Sequence, residues 1–109
     1  VKVKVNNFLE CTVGTSEKVK ITFNTNEKSL AINWLTPAQT AGKKMPYLFT
    51  QCESIACRSL APMMDSPAIK ITYDAKVSVE SQYVVKMSAN ETMILNNTAT
   101  NRTEYYFKN

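Results

Sequence analysis

Apolar and polar residues alternate along most of this chain. Val1, Val3 and Val5 alternate with Lys2 and Lys4, and Val19, Ile21 and Phe23 alternate with Lys18, Lys20 and Thr22. A period of two is the mark of a strand with one buried face and one wet face. Leu30, Ile32 and Trp34 alternate with Ala31 and Asn33, and Thr36-Pro37 ends that strand because proline has no amide to give to a ladder. The longest run extends from Ile69 to Val79. There Ile69, Ile71, Tyr73, Ala75, Val77 and Val79 share one face, and Lys70, Thr72, Asp74, Lys76 and Ser78 share the other. A slip of one residue would turn the whole apolar set toward water, so the pattern predicts a firm register. Tyr83, Val85 and Met87 continue it, and Tyr105 and Phe107 close it after an Asn/Thr-rich stretch, Asn96 to Thr103, that reads as a hairpin loop. The pattern therefore predicts an all-β chain with at least five strands and no long helix. Ile69, Ile71, Tyr73, Val77 and Val79 are expected to face a core, with Lys70 and Lys76 turned away.

The period breaks between Gln51 and Asp65, where Ile55, Cys57, Arg58 and Leu60 suggest a short helical turn before Pro62. Irregular segments held by a sheet are where function concentrates. No internal repeat or low-complexity linker divides the chain.

Composition removes several kinds of chemistry. At 109 residues the chain is one modest domain at most, or a piece of one. It has no histidine, so Ser-His-Asp and Cys-His pairs, imidazole zinc sites and the His-Glu-x-x-His helix are excluded. Its two glycines, Gly14 and Gly42, stand too far apart for a phosphate-cradling loop or a dinucleotide fingerprint. The net charge of +4 comes from lysines dispersed among apolar and acidic neighbours, which argues against nucleic acid as a partner. No apolar run approaches the roughly eighteen residues of a membrane span. The start of the chain lacks the ordered regions of a signal peptide. A first residue of Val rather than Met suggests a processed or truncated chain, with both ends as possible cuts.

Three cysteines, Cys11, Cys52 and Cys57, are too few for a disulfide scaffold, and an odd number leaves at least one unpaired. A reducing compartment, hence the cytoplasm, is the simpler expectation. The alternative is a secreted, glycosylated domain, because Asn90-Glu91-Thr92, Asn96-Asn97-Thr98 and Asn101-Arg102-Thr103 are sugar-acceptor triplets. Such triplets also arise easily by chance in a chain rich in Asn and Thr. Cys52 and Cys57 make a poor zinc pair, since paired ligands usually stand two to four residues apart and no fourth ligand is available. No metal site is expected.

The stretch Trp34-Leu35-Thr36-Pro37-Ala38-Gln39-Thr40-Ala41-Gly42-Lys43-Lys44-Met45-Pro46-Tyr47-Leu48-Phe49-Thr50-Gln51-Cys52 closely resembles the amino-terminal domain of the zinc aminopeptidases of the gluzincin type, in particular the leukotriene A4 hydrolase-like branch. The resemblance continues through Glu53-Ser54-Ile55-Ala56-Cys57-Arg58, then Pro62-Met63-Met64-Asp65-Ser66-Pro67, and into the strand Ala68 to Val79. It implies a β-sandwich with mixed or antiparallel strands, of which residues 1–109 are about the second half of a single saddle-like domain. It also implies a zinc-bearing catalytic domain that is absent from this chain. The zinc-ligand helix, the Gly-x-Met-Glu-Asn motif and the catalytic tyrosine have no counterpart here, so the chain alone is expected to be inactive and to bind no cofactor, the zinc lying in the parent enzyme.

The same resemblance singles out Gln51 and Glu53. In the plain aminopeptidases a Gln-x-Glu turn from this domain reaches the active site, and its glutamate grips the substrate's free α-ammonium. Gln51-Cys52-Glu53 matches that turn. The chemistry is coherent, because a peptide's amino terminus titrates near pKa ~8 and is substantially cationic at neutral pH. An internal peptide bond offers only a neutral amide. A carboxylate held at a fixed distance from the zinc thus selects chain ends, and a closed cleft strengthens its charge-assisted hydrogen bond. Gln51 would orient the first substrate residue through its neutral amide. Arg58 and Asp65, which match family positions after the turn, are expected to tie the loop to the sheet rather than touch substrate. The bland alternative for Glu53 is a solvated surface carboxylate.

Two departures matter. The leukotriene A4 hydrolase branch carries Gln where this chain has Glu53, which favours peptide trimming over epoxide hydrolysis. Met63 replaces the cysteine of a Pro-Cys-x-Asp-x-Pro turn, an exchange of one soft apolar side chain for a larger one. The rival function is a non-catalytic β-sandwich serving as an interaction or structural module. A His-Glu-x-x-His segment downstream of Asn109 would separate the two.

Overall fold

The computed structural model describes residues 18–109, so the expected strand at Val1, Val3 and Val5 lies outside the described residues. It divides into two compact units, Val1–Ile69 and Lys70–Asn109. The described residues contain five strands, two short 3₁₀ turns and no α-helix. Both sheets are antiparallel, and the described residues are all-β as the alternation predicts.

In the first unit β1 (Ile32–Leu35) pairs with β2 (Tyr47–Thr50), in a register that sets Ile32 against Thr50 and Leu35 against Tyr47. β1 ends where Thr36-Pro37 predicts, and Pro37 opens a 3₁₀ turn, Pro37–Gln39. Proline suits that first turn, where an amide would have no partner. Thr36 N donates to Gln39 Oε1 at 2.9 Å and Thr40 Oγ1 donates to Pro37 O at 2.8 Å, so polar side chains close the connection back to β2. Leu30 and Trp34, expected on a buried face, are 79% and 65% exposed. Ala31 between them is the fully buried residue. The expected strand at Val19, Ile21 and Phe23 does not form, and all three are exposed. Alternation marks a segment that suits a sheet but supplies no neighbour to pair with.

In the second unit β3 (Asp74–Glu80), β4 (Asn90–Asn97) and β5 (Arg102–Lys108) form a sheet of order β3-β5-β4. The predicted hairpin loop is the β4–β5 turn, although β4 and β5 run further into it than expected, with Asn97 opposite Arg102. Asn101 occupies the left-handed region, φ 52°, where asparagine is among the few tolerated side chains. Thr103, Tyr105 and Phe107 of the central strand are buried, and Val79, Val77 and Ala75 lie opposite them in turn. Cross-strand pairs of this aromatic and β-branched kind are the unit of sheet stability. The Tyr105 hydroxyl donates to Tyr83 O at 3.1 Å.

The register of the long run agrees with prediction, since Val77 and Val79 face inward and Lys76 outward. Its length does not. Pairing with β5 runs to Asp74 opposite Lys108, with one further bond from Asn109 N to Tyr73 O, and Ile69 and Ile71 are exposed and in no described strand. Tyr83, Val85 and Met87 likewise form no strand, because the chain turns after Glu80.

Candidate functional site

β2 delivers the chain into the segment Gln51 to Asp65, of which the stretch 51–59 is tied to one residue at both of its ends. Gln51 N donates to Ala31 O at 2.9 Å, and Ala31 N donates to Ser59 Oγ at 3.1 Å. Both backbone groups of the fully buried Ala31 are thereby satisfied, as a buried peptide requires. Ser29 Oγ donates to Ser59 O at 2.8 Å, and Ser59 Oγ donates to Ala56 O at 2.6 Å. Between these anchors Ala56 N bonds Cys52 O at 2.8 Å, the Glu53–Ser54 peptide is cis, and Cys57–Ser59 forms the expected helical turn as one turn of 3₁₀ helix.

Cys52 and Cys57 are joined by a disulfide, their Cα atoms 4.7 Å apart. This corrects the expectation of reduced thiols. The physical reason is the tight turn: the Ala56-to-Cys52 backbone bond folds residues 52–57 back on themselves and brings two cysteines five apart within bridging distance.

Gln51 and Glu53 flank Cys52 on this turn, and both are exposed. The Glu53 carboxylate makes no ion pair with any described residue. Arg58 and Asp65 bond to each other. Asp65 Oδ2 accepts from Arg58 N at 2.8 Å and from Arg58 Nε at 3.1 Å, while Arg58 donates from its second terminal nitrogen to Asp65 O at 2.7 Å. They fasten the end of the 3₁₀ turn to the Pro62–Pro67 segment. The tie to the sheet is made by Ser59 with Ser29 and Ala31, three residues with no motif to mark them in the sequence.

A second charged cluster lies on β3 and β5. Lys76 Nζ is 2.9 Å from Glu104 Oε1 and 5.5 Å from the centre of the Tyr106 ring, and the Tyr106 hydroxyl donates to Glu104 Oε2 at 2.9 Å. The hydrogen bond to Glu104, aided by Tyr106, holds the Lys76 ammonium above its ordinary pKa. The Lys76 hydrogen bond, then that from Tyr106, holds the Glu104 carboxyl below its own. The cross-strand register predicts this meeting, since Lys76 sits opposite Tyr106.

Residues 1–109 match the Peptidase M1 N-terminal domain along their whole length, and the chain belongs to that family. It is 45% identical over 75 residues to a leucine aminopeptidase 2 of Yarrowia lipolytica, covering 69% of this chain and 11% of that protein. It is 42% identical over 98 residues to a leukotriene A-4 hydrolase of Xenopus laevis, covering 89% of this chain and 16% of that protein. The chain thus spans between about a tenth and a sixth of the length of the curated relatives it matches.

The family is zinc-dependent, but the residues present do not fit that ion. The chain has no histidine, and among the described residues no three His, Cys, Asp or Glu side chains cluster to hold a metal. What the turn offers is an exposed carboxylate, Glu53, two residues along the chain from the exposed neutral amide of Gln51. No described helix is long and apolar enough to cross a membrane.

Proposed function

We propose that this chain is the substrate-recognition part of a zinc aminopeptidase, one that removes amino-terminal residues from peptides. In this reading residues 1–109 are part of the parent's amino-terminal domain, and a separate catalytic domain supplies the zinc. Glu53 grips the α-ammonium of the peptide and Gln51 orients its first residue. The observation that carries the proposal is the placing of Glu53: an exposed carboxylate with no described ion-pair partner, on a turn pinned at both ends to Ala31. A carboxylate already paired would have little left to give a cationic chain end.

In the full-length enzyme, Glu53→Gln is expected to lower kcat/KM with zinc content unchanged. Losing one partner of a desolvated charge pair costs about 2 to 5 kcal/mol, roughly 30-fold to several-thousand-fold in rate. Amine-blocked peptides should lose far less than free ones. Equal losses on both would assign Glu53 to the shape of the loop and end the recognition reading.

This reading carries a cytoplasmic location for the parent. The Cys52–Cys57 bond is the observation favouring the secreted alternative, since disulfides persist in oxidising compartments. A mobility shift on enzymatic deglycosylation would support secretion, and an unmodified mass would support the cytoplasm.

A further inference from the structure

The disulfide brackets the proposed recognition residue, and the chain on either side of it is held by other means. Gln51 is fixed through Ala31 O, Ser59 through Ser29 and Ala31 N, and Arg58 through Asp65. Between those points Glu53, Ser54 and Ile55 are exposed. Ser59 also holds Ala56 O, but of the bonds that join residue 52 to the far side of the turn, only the Ala56-to-Cys52 backbone bond stands beside the two sulfurs. Breaking the disulfide would leave the anchors in place and release the span that carries Glu53. Cys52 and Cys57 are half-buried rather than enclosed, and exchange requires a thiolate to reach one of their sulfurs.

We propose that the Cys52–Cys57 disulfide is a thiol-exchangeable lock on the recognition turn, opened by a dithiol reductant. The consequence for catalysis rests on Glu53 being the ammonium ligand. One thiolate of the dithiol attacks a sulfur of the bridge, forming a mixed disulfide as the Cys52–Cys57 bond breaks. The second thiol then displaces the protein sulfur. Two electrons and two protons pass to Cys52 and Cys57, and the reductant leaves as a cyclic disulfide. With the lock closed, the Glu53 carboxylate is presented in one place. With it open, Glu53 samples many, and reactions that depend on substrate placement lose rate steeply with small displacements.

The test uses the full-length protein, with dithiothreitol as the reductant. Trypsin cuts after Lys44 and Arg58, so peptide 45–58 contains Cys52 and Cys57 and no other cysteine. Before reduction this peptide should be lighter by two hydrogens and resist alkylation. After dithiothreitol treatment of the folded protein it should carry two alkyl groups. Amide exchange of residues 53–56 should quicken on reduction while that of residues 31–35 holds steady. On peptides with free amino termini, kcat/KM should fall roughly ten- to hundredfold. The Cys52→Ser/Cys57→Ser double variant should match the reduced enzyme and no longer respond to reductant. Complete alkylation before reduction, a bridge that dithiothreitol cannot open in folded protein, unchanged amide exchange, or a double variant that still responds would each overturn the lock. Should Glu53→Gln leave kcat/KM unchanged, the recognition reading falls by itself, and the peptide mass and amide exchange still decide whether the lock exists.

Discussion

In the unit Lys70–Asn109, β5 is paired along its whole length on both sides, and its alternate residues Thr103, Tyr105 and Phe107 are buried. In the unit Val1–Ile69, β1 and β2 share only four residues each, and the long segment after β2 is fastened by hydroxyls and a carboxylate: Ser29, Ser59 and Asp65. A ladder fixes every residue of a strand, so it leaves no backbone free to reshape. A few side-chain ties fix points and leave spans between them, which is what a recognition turn needs.

This contrast predicts unequal responses to mutation. The largest effect on stability belongs to the laddered sheet. Phe107, 3% exposed, sits on the buried face of its central strand, and Phe107→Ala should cost about 3 to 5 kcal/mol, seen as a lower denaturation midpoint of the full-length protein. A loss under about 1 kcal/mol would show that β5 is not the centre of that sheet's stability. Ser59→Ala comes next. It strips the buried Ala31 N–H of its acceptor and should cost about 1 to 3 kcal/mol. It should also quicken amide exchange in residues 51–59, whereas Phe107→Ala should not. If Ser59→Ala left that exchange unchanged, the claim that side-chain ties hold the turn would fail.

The smallest effect is electrostatic and depends on pH. Glu104 titrates below its ordinary value of 4.5, so its pairing contributes stability that is present above that pH and lost as the pH falls through the lowered value. Lys76 titrates above its ordinary 10.5, so its share is complete below that pH and lost only as the pH rises through the raised value. The melting temperatures of wild-type protein and Glu104→Gln should therefore differ by a small, constant amount across neutral pH and converge in strong acid. A difference that grows in acid would reverse the sign of the argument. The cluster is partly solvent-exposed, which is why its effect ranks below the other two.

The parts of the fold legible in the sequence were those where one face is buried and one wet. Val77 and Val79 against Lys76, the stop at Pro37 and the hairpin before Tyr105 all follow from local pattern. β4 was not legible: Met93, Ile94 and Leu95 are consecutive apolar residues, the strand is exposed along its length, and a register shift between Glu91 and Met93 breaks the alternation. Val19 to Phe23 and Ile69 to Ile71 failed in the opposite way: they alternate, but pattern alone supplies no pairing partner, and neither forms a strand among the described residues. At the candidate site the Gln51-Cys52-Glu53 turn was visible through its resemblance to a family. Its support was not, because Ser29, Ala31 and Ser59 are ordinary residues whose roles exist only once residues 28 to 30 apart in sequence meet.

Ala31 receives one end of the recognition turn on its carbonyl and the other on its amide. The turn is thus mounted like a cassette on a single residue, the one just before β1. For protein engineering this means that residues 53–56 can be rewritten as a block, in length-preserving libraries that vary charge and size at the tip, without touching the mount. The same arrangement warns against the reverse experiment. Enlarging Ala31, which has no exposed surface to grow into, would move both ends of the turn together.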